Sequence, residues 1–252
     1  MAGHGLCQST DSVAHLMIPL HDDNPTRINP VITIIFIATC VLVFVWQQFL
    51  QPDAQQRLVY SLGVIPATLL GGQVLPPDLA LIPTWATLFT SMFLHSGWMH
   101  LIGNMLYLWI FGNNIEDVMG HKRFIVFYLT CGLGAALAQA LPDAGSTIPM
   151  IGASGAISGV LGAYLLLYPR ARVLVLIPLG IFTRMLYLPA MAVLGFWFVL
   201  QIFNSLMMAD GQGGVAWGAH IGGFVTGMVL IPFFKHHDVQ FFNAAHRSDR
   251  LD

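Results

Sequence analysis

Charged side chains are scarce in this sequence of 252 residues. Asp, Glu, Lys and Arg make up 9% of it, against roughly 25% in an ordinary soluble domain. Hydrophobic residues reach 56%, and the mean hydropathy is +0.71. This composition excludes an ordinary water-soluble fold. The formal net charge of −2 also lacks the basic excess that is typical of proteins that bind nucleic acid.

Cysteine is equally rare, and no leader sequence is evident. Cys7, Cys40 and Cys131 form no closely spaced set, so neither a disulfide framework nor a metal cluster is predicted. Cys40 and Cys131 lie in apolar runs and are expected to act as small buried hydrophobic residues. Residues 1–27 have no basic start followed by a long apolar run, which disfavours a cleavable signal peptide.

Long apolar runs are the main feature that the sequence does have. A spanning helix needs about 20 mainly apolar residues, because lipid cannot bond to the backbone. Two stretches broken by glycine or proline, Leu58–Pro83 and Val173–Thr183, are instead expected at the membrane interface or against the bundle. The predicted fold class is all-α, a polytopic membrane protein with a six-transmembrane-helix bundle. The predicted spans 1 to 6 are Val31–Leu50, Leu94–Phe111, Phe124–Leu141, Ile151–Tyr168, Met185–Met208 and Val215–Phe234.

The basic residues predict how the bundle is oriented. Six spans put both termini on one side, and every Lys and Arg except Arg57 falls in the terminal segments or the even-numbered loops. The positive-inside rule then places both termini in the cytoplasm. The predicted organisation is a cytoplasmic segment 1–27, a six-span domain 28–234 and a cytoplasmic tail 235–252. Without a visible targeting peptide or appended domain, a bacterial-type plasma membrane is expected.

A few polar residues lie inside the predicted spans, where each is costly and therefore a functional candidate. His100, Asn104, Ser154 and His220 all lie within about two turns of the start of an even-numbered span. Even-numbered spans begin at the outer face, and the helical rise is 1.5 Å per residue, so these residues share a level roughly 10 Å deep. Further polar residues in the spans include Ser158, Gln201 and Asn204.

Small residues recur at every fourth position on spans 4 and 6. Faces of this kind let two helix backbones approach closely. They would bring the start of span 4 against the start of span 6, although generic helix packing produces the same pattern. The residues are Gly155, Gly159 and Ala163 on span 4, and Ala219, Gly223 and Gly227 on span 6.

The polar residues suggest nucleophilic catalysis. Ser154 opens span 4 in the turn Gly152-Ala153-Ser154-Gly155, where a helix N-terminus can stabilise an oxyanion once a base has taken the serine proton. His220 is the only ionisable residue of span 6 and suits a general base near neutral pH. The alternatives are a serine that only caps its helix and a histidine that only bonds two helices together.

Span 2 offers hydrogen-bond donors in place of a metal or cofactor. His100 and Asn104 share one helix face, and both can donate to a developing oxyanion; polar contact between helices is the alternative. A zinc site with His95 lacks a third ligand, so no metal or cofactor is expected. No Asp or Glu lies inside a span, and Asp143 and Asp210 are in outer loops. This predicts a Ser-His dyad rather than a triad.

Taken together, these motifs resemble the rhomboid family of intramembrane serine proteases. Their order and spacing cover the chain from about residue 30 to residue 234. The matching pieces are His95-Ser-Gly-Trp-Met-His100-Leu-Ile-Gly-Asn104 in span 2, Gly152-Ala-Ser154-Gly155 in span 4, and Ala219-His220-Ile-Gly-Gly223 with Gly227 in span 6.

The resemblance implies a rhomboid-like bundle with Ser154 as nucleophile and His220 as general base. His100, Asn104 and the Ser154 N–H would form the oxyanion hole, and Glu116 would be a structural residue in the loop after span 2. The loop after span 1 would lie partly in the membrane, and span 5 with its following loop would gate substrate entry. The implied activity is that of a serine endopeptidase that cleaves transmembrane protein substrates near the outer face of the lipid bilayer.

Two positions depart from the family pattern. Ser158 stands where many relatives have an aromatic residue that stacks on the histidine, and Trp85 lacks its usual arginine neighbour. Trp217 is a candidate to hold His220 instead. Two other functions stay open: a non-catalytic relative that binds transmembrane clients, disfavoured by the intact Ser154 and His220, and a small transporter, disfavoured because no internal repeat or charged substrate ligand is evident.

Overall fold

The computed structural model describes residues 17–179, 182–207 and 215–242. Its strands are β1 (Ile18–Asp22), β2 (Arg172–Leu179) and β3 (Phe182–Pro189). Its α-helices are α1 (Val31–Gln48), α2 (Pro52–Leu62), α3 (Pro66–Leu69), α4 (Thr87–Thr90), α5 (Trp98–Tyr107), α6 (Asn113–Met119), α7 (His121–Ala140), α8 (Ser154–Leu167), α9 (Ala190–Met207) and α10 (Trp217–Phe234).

The helices have the lengths that a membrane bundle requires. In the described residues, α1, α7, α9 and α10 are each long and apolar enough to cross a bilayer, and α8 is a shorter apolar helix. A π-helical stretch, Leu108–Gly112, joins α5 to α6, so span 2 continues without a break. The predicted polytopic helical membrane fold is confirmed, and the chain is an integral, multi-pass membrane protein.

Two predicted span limits were wrong by five residues or more. Span 5 begins at Ala190 rather than at Met185, because residues 185–189 belong to β3. Span 2 does not end at Phe111 but continues as a helix to Met119. Spans predicted from runs without charged residues end before the polar residues of α6, such as Glu116. Such a residue can nevertheless lie in a buried helix when its side chain is hydrogen-bonded.

A small antiparallel sheet adds to the all-α fold that the sequence predicts. Its strand order is β1-β2-β3. β2 and β3 form a hairpin in which Val175 is opposite Leu186, and β1 pairs with the other edge of β2, where Ile18 is opposite Leu176. Val173 and Val175 are buried. The described part of the stretch that was expected at the interface or against the bundle, residues 173–179, thus packs one face of β2 on the bundle.

The loop after span 1 also packs on the bundle. As predicted, Leu58–Pro83 contains no spanning helix; it holds the end of α2, the short α3 and turns. Val64 pairs with Met150 in an isolated antiparallel bridge, which ties this loop to the segment before α8. Val64, Ile65 and Ala67 are buried, so the loop supports the start of α8.

The centre of the bundle is a direct contact between the backbones of α8 and α10. A Cβ atom at Gly223 would overlap the carbonyl oxygen of Gly155, and one at Gly227 would overlap that of Gly159. A Cβ atom at Gly159 would also overlap the Cys131 sulfur of α7. The small-residue faces predicted on spans 4 and 6 thus form the interface of these helices.

Glu116 joins α6 to the beginning of α1. Its fully buried carboxylate accepts hydrogen bonds from the Ile32 N–H at 2.9 Å and from the Thr33 N–H and Oγ1 at 2.8 and 2.7 Å. N–H groups in the first turn of a helix have no partner within that helix. His121 Nδ1 lies 2.6 Å from the same carboxylate. Glu116 lies in a helix rather than in the predicted loop.

Asp22 links the sheet to α6 and α8. Its carboxylate accepts hydrogen bonds from the Tyr164 hydroxyl at 2.6 Å and from Asn114 Nδ2 at 2.9 Å. Burial raises the pKa of Asp22 from 3.8 to about 6, although the Tyr164 hydrogen bond offsets part of the increase. Folding thus favours the protonated form of Asp22. The resulting contribution to the stability of the protein is complete below pH 3.8 and is lost as the pH rises through about 6.

We expect Asp22→Asn to stabilise the protein at neutral and alkaline pH. The amide keeps an oxygen to accept both hydrogen bonds but avoids the cost of a buried charge. The free energy of unfolding should rise by about 1–3 kcal/mol at pH 8, with no gain near pH 4. Thermal unfolding in detergent at both pH values measures this. Asp23→Asn, which removes an exposed carboxylate, controls for net charge; equal effects of both variants would contradict the prediction.

Candidate active site

Ser154 is the first residue of α8, and its hydroxyl points at another helix. Ala153 is the N-cap, and no side-chain capping bond forms there among the described residues. Gly152 has φ of +123°, a conformation that suits glycine. Ser154 Oγ lies 2.9 Å from His220 Nε2 on α10. The structure thus brings the predicted serine and histidine together, and the serine is not a helix cap.

The length of α8 sets the depth of Ser154. This helix has 14 residues, so it is about 21 Å long, whereas the hydrocarbon core of a bilayer is about 30 Å thick. If its C-terminal end reaches one face, Ser154 lies roughly 10 Å below the other. The bridge between Val64 and Met150 belongs to the segment that leads down to this level.

His220 is held from more than one side. Its Nδ1 lies 2.8 Å from Gln201 Oε1 on α9. The Trp197 ring lies 5.9 Å from the imidazole at an interplanar angle of 37°, and the Trp217 ring lies 6.0 Å away at 87°. Trp217 therefore contacts the histidine as predicted, but edge to face, and α9 supplies the two other neighbours.

Ser158 does not replace the aromatic residue that many relatives have at its position. Its hydroxyl donates a hydrogen bond to the carbonyl oxygen of Ser154 at 2.7 Å, within its own helix. The Trp197 ring on α9, rather than a side chain on α8, lies beside the imidazole of His220.

His100 and Asn104 converge on the residue two positions before the serine. A Cβ atom at Gly152 would lie 2.7 Å from His100 Nε2 and 3.8 Å from Asn104 Nδ2. His100 Nδ1 accepts the Ser96 N–H at 3.4 Å, so the ring proton is left on Nε2. Among the described residues, Asn104 Nδ2 is buried without a hydrogen-bond partner. Two donors thus point at one space near Ser154.

His95 supports this arrangement from behind. It is buried, and its ring packs edge to face against His100 with centroids 5.1 Å apart. Its backbone exchanges hydrogen bonds with the Gln47 side chain on α1 at 3.2 and 3.4 Å. Ala219, one of the predicted supporting residues on α10, donates its N–H to Gln139 of α7 at 3.1 Å. These bonds fix where α5 and α10 begin.

Sequence reasoning missed Gln201 and Trp197 as members of the site. Gln201 was recognised only as a polar residue at membrane depth, and Trp197, one helical turn earlier, had no distinguishing signal. Of the two acids considered earlier, Asp143 is exposed in its loop, and Asp210 lies outside the described residues.

Comparison with known proteins identifies the family. The sequence model of the Rhomboid domain family matches residues 83–236, which include every motif residue of the site. The chain belongs to the rhomboid family. The recognition made from three short motifs is therefore confirmed.

Several curated proteins are similar to this rhomboid. Rhomboid protease GluP of Bacillus subtilis is 32% identical over 138 residues, which cover 54% of this chain and 24% of that protein. Rhomboid protein 1, mitochondrial, of Saccharomyces cerevisiae is 29% identical over 144 residues, which cover 55% and 39%. RHOMBOID-like protein 5 of Arabidopsis thaliana is 38% identical over 78 residues, which cover 31% and 25%. The chain thus matches a quarter to two fifths of these relatives.

We expect Gly227→Ala to separate α8 from α10 and so to weaken the Ser154–His220 contact. The new methyl group would overlap the Gly159 carbonyl, and overpacking of this kind costs about 1–3 kcal/mol. Thermal unfolding in detergent measures the loss. Gly195→Ala on α9 is the matched control, because no described atom outside the nearby backbone of α9 lies within 4 Å of its Cβ position. Equal stability of both variants would contradict the close packing.

Proposed function

We propose that this rhomboid is a serine endopeptidase that cuts transmembrane segments of other membrane proteins with a Ser154–His220 dyad. The carrying observation is the 2.9 Å separation between Ser154 Oγ and His220 Nε2. It supports proton transfer from the hydroxyl to the imidazole, because a general base must lie within hydrogen-bonding distance of the proton that it takes.

The proposed reaction is acyl transfer in two halves. His220 Nε2 takes the Ser154 proton while Oγ attacks the carbonyl carbon of the scissile peptide bond. The tetrahedral intermediate collapses when the C–N bond breaks, and His220 returns the proton to the leaving amine. Water, deprotonated by His220, then hydrolyses the acyl ester and regenerates the serine.

His100 Nε2–H, Asn104 Nδ2–H and the Ser154 N–H are the proposed donors to the oxyanion. The two side chains support this role because they converge over Gly152 and the Asn104 donor has no other described partner. Donors that are fixed in a low-dielectric site favour the charge that develops in the transition state, since they need no reorganisation.

The cut is proposed to fall near the outer face, with both termini of the chain in the cytoplasm. The basic residues of the described inner loops, such as Lys122 and Arg172, support this orientation. The short α8 then places Ser154 below the outer surface. The relatives include mitochondrial and chloroplast proteins, so family membership does not determine which membrane holds this chain. Location in a bacterial plasma membrane is therefore also a proposal.

Substrates are proposed to be single helices with a weak turn near the cleavage site, because an intact helix keeps its carbonyl groups in internal hydrogen bonds. They would enter beside α9, which is sparsely packed: Val199, Phe203 and Leu206 are all exposed. The loop that was predicted to act with α9 as a gate falls at 208–214, outside the described residues.

A fluorophosphonate probe tests the dyad. The probe should label the purified protein in detergent, and Ser154→Ala and His220→Ala should abolish labelling because they remove the nucleophile and its base. Ser158→Ala is the matched control: it removes a hydroxyl one turn along the same helix and should leave labelling intact. Cleavage of co-expressed single-span proteins should follow the same pattern. Labelling that persists in Ser154→Ala would refute the proposal.

Asn104→Leu tests the oxyanion hole. Loss of one preorganised donor is expected to lower kcat for a cleavable single-span protein by about 10²–10³-fold, with a smaller effect on KM. Met99→Ala, which changes an exposed side chain at the start of the same helix, should retain kcat. If kcat/KM falls in Asn104→Leu only because KM rises, this residue would instead be assigned to substrate binding.

A further inference from the structure

The second hydrogen bond of His220 comes from a helix that carries none of the recognised motifs. Gln201 Oε1 lies 2.8 Å from His220 Nδ1, and Gln201 is 4% exposed. From residue 195 to the end of α9 at Met207, Gln201 is the one buried residue. The half of α9 that faces the site therefore buries a polar side chain rather than an apolar one.

The orientation of the Gln201 amide is fixed by its own helix. Its Nε2 donates to the Trp197 carbonyl oxygen at 3.2 Å, which leaves Oε1 directed at His220. An amide oxygen can only accept a hydrogen bond, so the imidazole must carry its proton on Nδ1. His220 Nε2 is then unprotonated and free to accept the Ser154 hydroxyl proton.

This tautomer is not assured by the imidazole alone. A neutral histidine can hold its proton on either ring nitrogen, and the partner of the other nitrogen decides between the two forms. With the proton on Nε2, His220 could not act as the base for Ser154. The Trp197 and Trp217 rings limit rotation of the imidazole, but neither ring accepts the Nδ1 proton in its plane.

We infer that Gln201 is a positioning residue that sets the tautomer and direction of His220, so that the proposed dyad is completed by a neutral third member on α9. This inference rests on the proposed function. An amide orients the ring, as the carboxylate of a Ser-His-Asp triad does. It supplies no negative charge to the imidazolium, so its contribution should come from geometry.

Gln201→Leu is the direct test, since leucine has a similar volume but no acceptor. We expect kcat to fall about 10- to 100-fold, less than the 10²–10⁴-fold contribution of a general base itself, while KM stays within about twofold. Gln201→Glu keeps an acceptor at the same reach and should restore most of the activity. Asn204→Leu, the same kind of change one turn along α9, is the control and should retain wild-type kcat.

The tautomer can be read without any activity. In protein labelled with [15N]histidine in detergent, the His220 signals, identified by their loss in His220→Ala, should show protonated Nδ1 in the wild type. In Gln201→Leu the form protonated on Nε2 should become populated. An unchanged tautomer together with wild-type kcat in Gln201→Leu would overturn the inference and leave the dyad standing. Absence of Ser154-dependent labelling in the wild type would overturn the proposed function instead.

Discussion

Contact between the backbones of α8 and α10 is the constraint on which the rest of the structure depends. Gly155 and Gly159 of one helix meet Gly223 and Gly227 of the other with no room for a side chain between them. In lipid there is no hydrophobic effect to press two helices together, so close van der Waals packing must do so. The same closeness lets two short side chains, a serine and a histidine, reach each other across the interface.

Much of the site could be predicted because two features of the sequence carry spatial information in a membrane protein. One is whether a span has an even or an odd number, and the other is the spacing of residues along a helix. Even-numbered spans begin at the same face, so His100, Ser154 and His220 had to lie at similar depths whatever the order of the helices. The recurrence of small residues at every fourth position then indicated that spans 4 and 6 are in contact. Three physical rules, on span length, polar cost and small-residue packing, were enough to place His100, Asn104, Ser154 and His220, but not Gln201 and Trp197.

Other parts of the structure could not be predicted, for identifiable reasons. β2 alternates buried and less buried positions between Val173 and Leu176, but both kinds of position are apolar, so Val173–Thr183 shows no alternation of polar and apolar residues. Glu116 lies in α6, which continues span 2. Because spans were predicted from runs without charged residues, span 2 was predicted to end before it. Gln201 follows no motif, and its rotation toward His220 depends on how α9 packs, which helix periodicity does not determine across the loop between α9 and α10.

The bonds of Glu116 bear on how the chain assembles. The backbone amides of Ile32 and Thr33 at the start of α1 donate to Glu116, more than eighty positions later in the chain. When α1 first enters the bilayer, these N–H groups therefore have no acceptor within their own helix. Until the second span is inserted, water must provide the hydrogen-bond acceptors for those amides. Glu116 in α6 then supplies their acceptor, so the start of the first span is stabilised only once the second span is in place.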